Sequence, residues 1–157
     1  MKLDIAREAE EAYLEGKKLS IYILIEKEEV VDSDGCHLFL WVTHKYLPEG
    51  FKVMDMWGFR YHCCLTWDKT YGFTPFSFMW STEFCLYGQL KDRWMKPQRI
   101  GLKILVTEKP REHSRKPEAM YELIEQYASG NKIELFARNK RDGWDCWGNE
   151  VESDVEL

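Results

Sequence analysis

Residues 143–150 read Gly-Trp-Asp-Cys-Trp-Gly-Asn-Glu: two indoles lie between two glycines, and an amide and a carboxylate, Asn149 and Glu150, close the segment. Just upstream, residues 132–138 (Lys-Ile-Glu-Leu-Phe-Ala-Arg) read as a short buried strand ending in a cation, Arg138. Apolar strand, tight polar turn and paired hydrogen-bonding side chains, in that order, commonly build a nucleotide-type pocket at the carboxyl end of a sheet strand. A tryptophan-anchored surface loop has the same composition; the order of the string favours the ligand site.

Other chemistry is less well supported. Five cysteines, Cys36, Cys63, Cys64, Cys85 and Cys146, are odd in number and show no CxxC spacing. Reduced, mostly buried thiols are therefore expected, not a zinc site. Adjacent Cys63 and Cys64 should point to opposite faces of a strand. His37, His44, His62 and His113 form no ligand spacing with the cysteines. A hydrolase finds no support, since there is no G-x-S-x-G string and no nucleophile–base pairing. Between Lys69 and Thr82 a loop is expected, carrying Tyr71, Phe73, Phe76, Phe78 and Trp80. Such rings can stack bases or pin the loop to the core.

The elements that must position these residues fit one domain of 157 residues with a real core. Hydrophobic residues make up 45% and charged residues 31% of the chain, a globular balance. No apolar run reaches the length of a membrane helix, and no secretion signal opens the chain, so a cytoplasmic protein is expected. The net charge is −5, unevenly spread. Residues 1–40 hold 10 acids against 5 bases, residues 142–157 hold 6 acids and no base, and residues 91–141 hold 13 bases against 7 acids. A basic stretch between acidic ends can form a positive face for nucleic acid or a solvated mixed surface.

Helical spacing predicts a helix over residues 3–17, then a short strand from Ser20 to Glu26. Cys36 to Thr43 is nearly all apolar, which suits a parallel sheet covered on both faces. A helix follows from Pro48 to Trp57, with Gly58 after its end. Strands are expected at Phe59 to Asp68, Glu83 to Gly88 and Ile100 to Thr107. Pro117 opens a helix to Ala128 with Gly130 beyond it, and Lys132 to Ala137 is expected as the last strand. Largely alternating strands and helices favour an α/β sheet.

Four segments then occur in one order: residues 38–43 (Leu-Phe-Leu-Trp-Val-Thr) with 57–59 (Trp-Gly-Phe); 67–69 (Trp-Asp-Lys); 112–117 (Glu-His-Ser-Arg-Lys-Pro); and 134–138 (Glu-Leu-Phe-Ala-Arg) running into 143–150. Together they closely resemble the MT-A family of adenine-N6 methyltransferases, which includes the catalytic subunit of the messenger-RNA adenosine methyltransferase, and especially its short bacterial and phage members. The resemblance covers about residues 36 to 150. It implies a Rossmann-like α/β methyltransferase sheet with helices on both faces, its N-terminal part incomplete, binding S-adenosylmethionine and acting on adenine in DNA or RNA. Residues 1–35 would be an N-terminal helix and acidic segment, and 36–157 the methyltransferase-like part of a single domain.

Residue by residue, the resemblance implies that Lys116 meets the methionine end of the cofactor. There a cation and free backbone N–H groups at a helix start can bind a carboxylate. Arg138, Asn149 and Glu150 match ribose-contacting positions, and Lys69 and Glu83 match the substrate side. The commoner family pair around Glu83 includes a histidine; here Thr82 precedes it and Phe84 follows.

One departure is larger. The family's catalytic signature, Asp-Pro-Pro followed by an aromatic residue, precedes the strand equivalent to Leu38–Thr43 and grips the adenine amino group. No such string occurs in these 157 residues. With the last residue at Leu157, a permuted order with the signature placed last is not expected either. No catalytic residue is therefore assigned. The expected protein is a portion or subunit of such a methyltransferase, inactive alone and helping a complete methyltransferase partner. The alternative is a non-catalytic nucleic-acid-binding or scaffold subunit that does not use the cofactor.

Overall fold

Every residue of Cys36–Val42 is buried, because the strand formed by this run is covered on both faces. The computed structural model describes residues 20–25, 35–73, 78–92, 94–111 and 115–155. Its strands are β1 (Ser20–Ile25), β2 (Cys36–Val42), β3 (Phe59–Phe73), β4 (Trp80–Leu90), β5 (Leu105–Thr107), β6 (Asn131–Leu135) and β7 (Asp145–Trp147). Its helices are α1 (Leu47–Met56) and α2 (Glu118–Tyr127). The strands form one sheet in the order β5-β3-β4-β2-β1-β6-β7.

Alternation along β2 divides the core in two. Leu38, Leu40 and Val42 pack with Met54 and Trp57 on the α1 side, together with Leu86, Ile133 and Leu135. Phe39 and Trp41 pack with Met120 and Ile124 on the α2 side, together with Leu65, Trp67, Cys85 and Tyr87. The two helices therefore cover opposite faces, as the family resemblance implied. Cys64 joins the first cluster and Cys63 the second, the opposed orientation their adjacency required. All five cysteines are free.

Strand direction is mixed. β2 pairs antiparallel with β1 and β4, β3 antiparallel with β4, and β1 antiparallel with β6, while β5 runs parallel to β3 and β7 parallel to β6. Parallel neighbours for β2 were expected from its apolar run, and this is corrected. Such a run reports cover on both faces, which α1 and α2 supply whatever the strand direction.

Three other expectations change. The expected loop from Lys69 to Thr82 is, over its described residues, an extension of the β3–β4 hairpin beyond a register shift between Asp68 and Phe73. Ile100 to Thr107 yields only the short β5, because Ile100, Ile104 and Leu105 are exposed. Lys132 to Ala137 is not the last strand, since β7 pairs beside it. The helix expected over 3–17, the ring of Phe76 and residues 112–114 lie outside the described residues. β1, from the N-terminal segment, sits within the sheet between β2 and β6. Among the described residues no helix is long and apolar enough to cross a membrane.

Candidate cofactor and nucleic-acid site

The pairing directions make β2, β3, β5, β6 and β7 run the same way, with β1 and β4 opposed. The carboxyl ends of five strands thus gather at one end of the sheet. Lys69 lies near the end of β3, Glu83 near the opposed start of β4, Lys116 just before α2, Arg138 after β6, and Asn149 and Glu150 after β7. All six sequence-derived site residues lie at this end, in two groups.

The first group centres on Glu83. Lys116 Nζ donates to Glu83 Oε2 at 2.9 Å, and Lys69 Nζ donates to Glu83 Oε1 at 3.2 Å. Lys116 Nζ also lies 4.6 Å from the centroid of the Trp41 ring. The three charged side chains are at most one-fifth exposed, at 15% for Lys116 and 20% for each of the others. Burial would push the Glu83 carboxyl up, but Lys116 and then Lys69 outweigh it and hold it below its ordinary value. Residues expected on separate cofactor and substrate sides thus share one network, with two cations on one carboxylate.

The helix start differs from expectation. Its backbone N–H groups were expected to be free for a ligand. Instead Glu108 accepts from Glu118 N at 3.1 Å and from Ala119 N at 3.0 Å. Burial would raise the Glu108 carboxyl, but the two amides and Arg111 hold it low. What this corner offers a ligand is the Lys116 ammonium, not the helix amides.

The second group is more open. Arg138 Nε lies 3.4 Å from Glu150 Oε1, with both side chains exposed. Asn149 is exposed beside them. Their position depends on two glycines. A Cβ on Gly148 would lie 2.4 Å from the Ala137 carbonyl oxygen, so only glycine lets the ends of β6 and β7 approach this closely. Gly143 has φ +78°, the left-handed conformation that lets the chain turn before β7. Trp144 is buried and Trp147 packs edge-on to Phe136, ring centroids 5.3 Å apart. The tryptophans do anchor the segment, and the polar pair is left facing outward.

The basic stretch is less bare than its composition implied. Lys91, Arg111, Lys116, Arg138, Lys140 and Arg141 each lie within ion-pair distance of a carboxylate. Sequence reasoning missed Glu108, Trp41 as the surface beneath Lys116, and Arg141. Only Trp41 had a signal, its place in the quoted string at residues 38–43. Among the described residues no cluster of three or more His, Cys, Asp or Glu could hold a metal ion.

A family model described as MT-A70 matches residues 22–150. The type II methyltransferase M.MunI of Mycoplasma sp is 32% identical over 124 residues, covering 77% of this chain and 53% of that protein. The N(6)-adenosine-methyltransferase MT-A70-like protein of Arabidopsis thaliana is 33% identical over 132 residues, 77% of this chain and 19% of that protein. The N(6)-adenosine-methyltransferase catalytic subunit METTL3 of Homo sapiens is 31% identical over 134 residues, 78% of this chain and 23% of that protein. The chain thus spans about half the length of the first of these relatives and about a fifth of the others.

Proposed function

Since the chain belongs to the MT-A70 family, we propose that it is the cofactor- and nucleic-acid-binding portion or subunit of an S-adenosylmethionine-dependent adenine-N6 methyltransferase acting on DNA or RNA, without a catalytic signature of its own. A complete methyltransferase subunit is its proposed partner, and the five free thiols suit a cytoplasmic setting. Residues 36–157 form the methyltransferase-like part, and residues 1–35 the segment that contributes β1.

The single observation that carries the reading is the pair of lysines on Glu83. A ligand carboxylate can take over Lys116 while Glu83 keeps Lys69 at 3.2 Å, so neither half-buried charge is stranded. Arg138 lies past β6, two strand spacings from the end of β2 where Lys116 sits over Trp41, and Asn149 and Glu150 lie past β7, three spacings away. Those separations are roughly 10–15 Å, a span suited to a ligand with a carboxylate at one end and a ribose at the other. Asn149 and Glu150 supply the donor and acceptors that a diol requires. When bound, the cofactor supplies an electrophilic methyl group. This chain's residues bind and orient it, and Lys69 with the hairpin beyond it faces the nucleic acid.

Calorimetric titration with S-adenosylmethionine tests this. Weak binding is expected, weaker than for a complete family member. Asn149→Ala should weaken it a further two- to tenfold, since a hydrogen bond to a bound ligand contributes roughly 0.5–1.5 kcal/mol. No binding heat, with oligonucleotide binding intact, would favour the scaffold reading instead.

A further inference from the structure

Arg141 takes no part in the contacts proposed for the cofactor, yet it is the most heavily engaged cation near them. Its Nη1 donates to Glu118 Oε1, its Nε donates to Glu125 Oε1 at 3.1 Å, and its Cζ lies 4.5 Å from the Tyr121 ring centroid. Glu118, Tyr121 and Glu125 lie three and then four residues apart, on one face of α2. One guanidinium therefore spans two turns of the helix. Trp144 completes the grip: its backbone N–H donates to Arg141 O at 3.1 Å, and its indole Nε1 donates to the same Glu125 oxygen at 2.8 Å. The Trp144 ring meets Tyr121 edge-on, centroids 5.5 Å apart.

This clasp joins the two chain segments that carry the site. Lys116 lies two residues before Glu118, at the start of α2. Arg138 lies three residues before Arg141, and Asn149 and Glu150 follow the strand that begins just after Trp144. We propose that Arg141 is a positioning residue, holding the segment from Arg138 to Glu150 against α2 so that Lys116 and the Asn149–Glu150 pair face one ligand at a fixed separation. The role rests on the cofactor reading above. It calls for arginine because a planar fork can meet two carboxylates while stacking on a ring, which a lysine cannot do. A site fixed before binding spends less of its interaction energy on ordering loops.

The test is a double-mutant cycle for S-adenosylmethionine binding with Lys116→Ala and Arg141→Ala, together with Arg141→Lys and amide hydrogen exchange on each protein. Arg141→Ala should weaken binding about tenfold. In that background Lys116→Ala should cost less than about threefold, against about tenfold in the parent, because the two halves no longer act together. Arg141→Lys should recover only part of the loss. Exchange should rise across residues 138–150 while β2 and β4 stay protected. Additive single effects, or exchange that rises evenly through the sheet, would reduce Arg141 to a general stabilising residue and overturn the proposal. Unchanged exchange in 138–150 would do the same. Absence of binding by the parent chain would remove the cofactor reading itself and with it any ligand for Arg141 to position. That failure appears in the parent protein, whereas failure of the inference appears only in the variants.

Discussion

At the scale of single residues, charge is kept tolerable by pairing, and the exceptions are informative. Glu83 stays ionised at the end of the sheet because Lys116 and Lys69 outweigh its burial. His37 is the contrast. It is fully buried on β2, its Nδ1 lies 2.8 Å from the Tyr87 hydroxyl, and its Nε2 has no hydrogen-bond partner among the described residues. Burial, aided by His62, pushes its pKa down to about 4. An unfolded chain takes up this proton below about pH 6.5, while the folded chain resists until about pH 4. Its contribution to stability is therefore intact above pH 6.5 and is lost as the pH falls toward 4. Between pH 6.5 and 5, above most carboxylate titrations, the loss should be roughly 2 kcal/mol. Urea midpoints over this range should fall for the parent and flatten for His37→Gln. A flat parent profile would mean that the orphaned nitrogen carries no such penalty.

At the scale of elements, the β3–β4 hairpin shows how far sequence patterning reaches. Its rings could stack bases or pin the segment to the core. In the structure Tyr71, Phe78 and Trp80 are exposed, Phe78 at 79%. Trp80 lies tilted against His44, ring planes 31° and centroids 5.7 Å apart, and His44 bonds Thr82 Oγ1 at 2.9 Å. The hairpin runs on past Lys69 and Glu83, so under the proposed function these rings would be open to a bound single strand. Trp80→Ala should weaken binding to an adenine-containing oligonucleotide about tenfold, because base stacking on an aromatic ring is worth roughly 1–3 kcal/mol. The slope against salt should not change, since no charge is removed, whereas Lys69→Ala should reduce that slope. Unaltered affinity in Trp80→Ala would show that the rings serve another partner. The elements legible in sequence were those with local signals. β2, α1 and α2 fall within a residue or two of expectation because an apolar run, Pro48, Pro117 and Gly130 mark them. β7 was illegible because its pairing with β6 depends on Gly148 meeting Ala137, a contact no pattern within residues 145–147 announces. The Lys116–Glu83 pair, 33 residues apart in sequence, was hidden for the same reason. The family resemblance supplied both residues without their contact.

At the scale of the whole molecule, five strand ends point to one edge, and the site residues line it in two groups with β1 between them. Adenine-N6 transfer needs a flipped base whose amino nitrogen is aligned with the cofactor methyl, and holding that geometry supplies much of the rate. Under the proposed function these residues would hold the cofactor from two sides and meet the strand, but none of them offers the rigid Asp-Pro-Pro-aromatic hold on the amino group. The acids nearest the matched strings do not substitute for it. Asp68 Oδ1 already accepts from Thr70 N at 2.8 Å, and Asp145 lies exposed on β7; neither is followed by proline. The isolated chain should therefore transfer no methyl group from labelled S-adenosylmethionine to adenine-containing DNA or RNA. Adding a complete family member should restore transfer, and beyond that member's own rate, if this chain works as a subunit. The increment should shrink in Trp80→Ala, because the added surface is what the chain contributes. Robust transfer by the chain alone would mean that a grip on the amino group is built from other residues. No increment in the mixture would leave cofactor binding without a catalytic partner to serve and would turn the balance toward the scaffold reading.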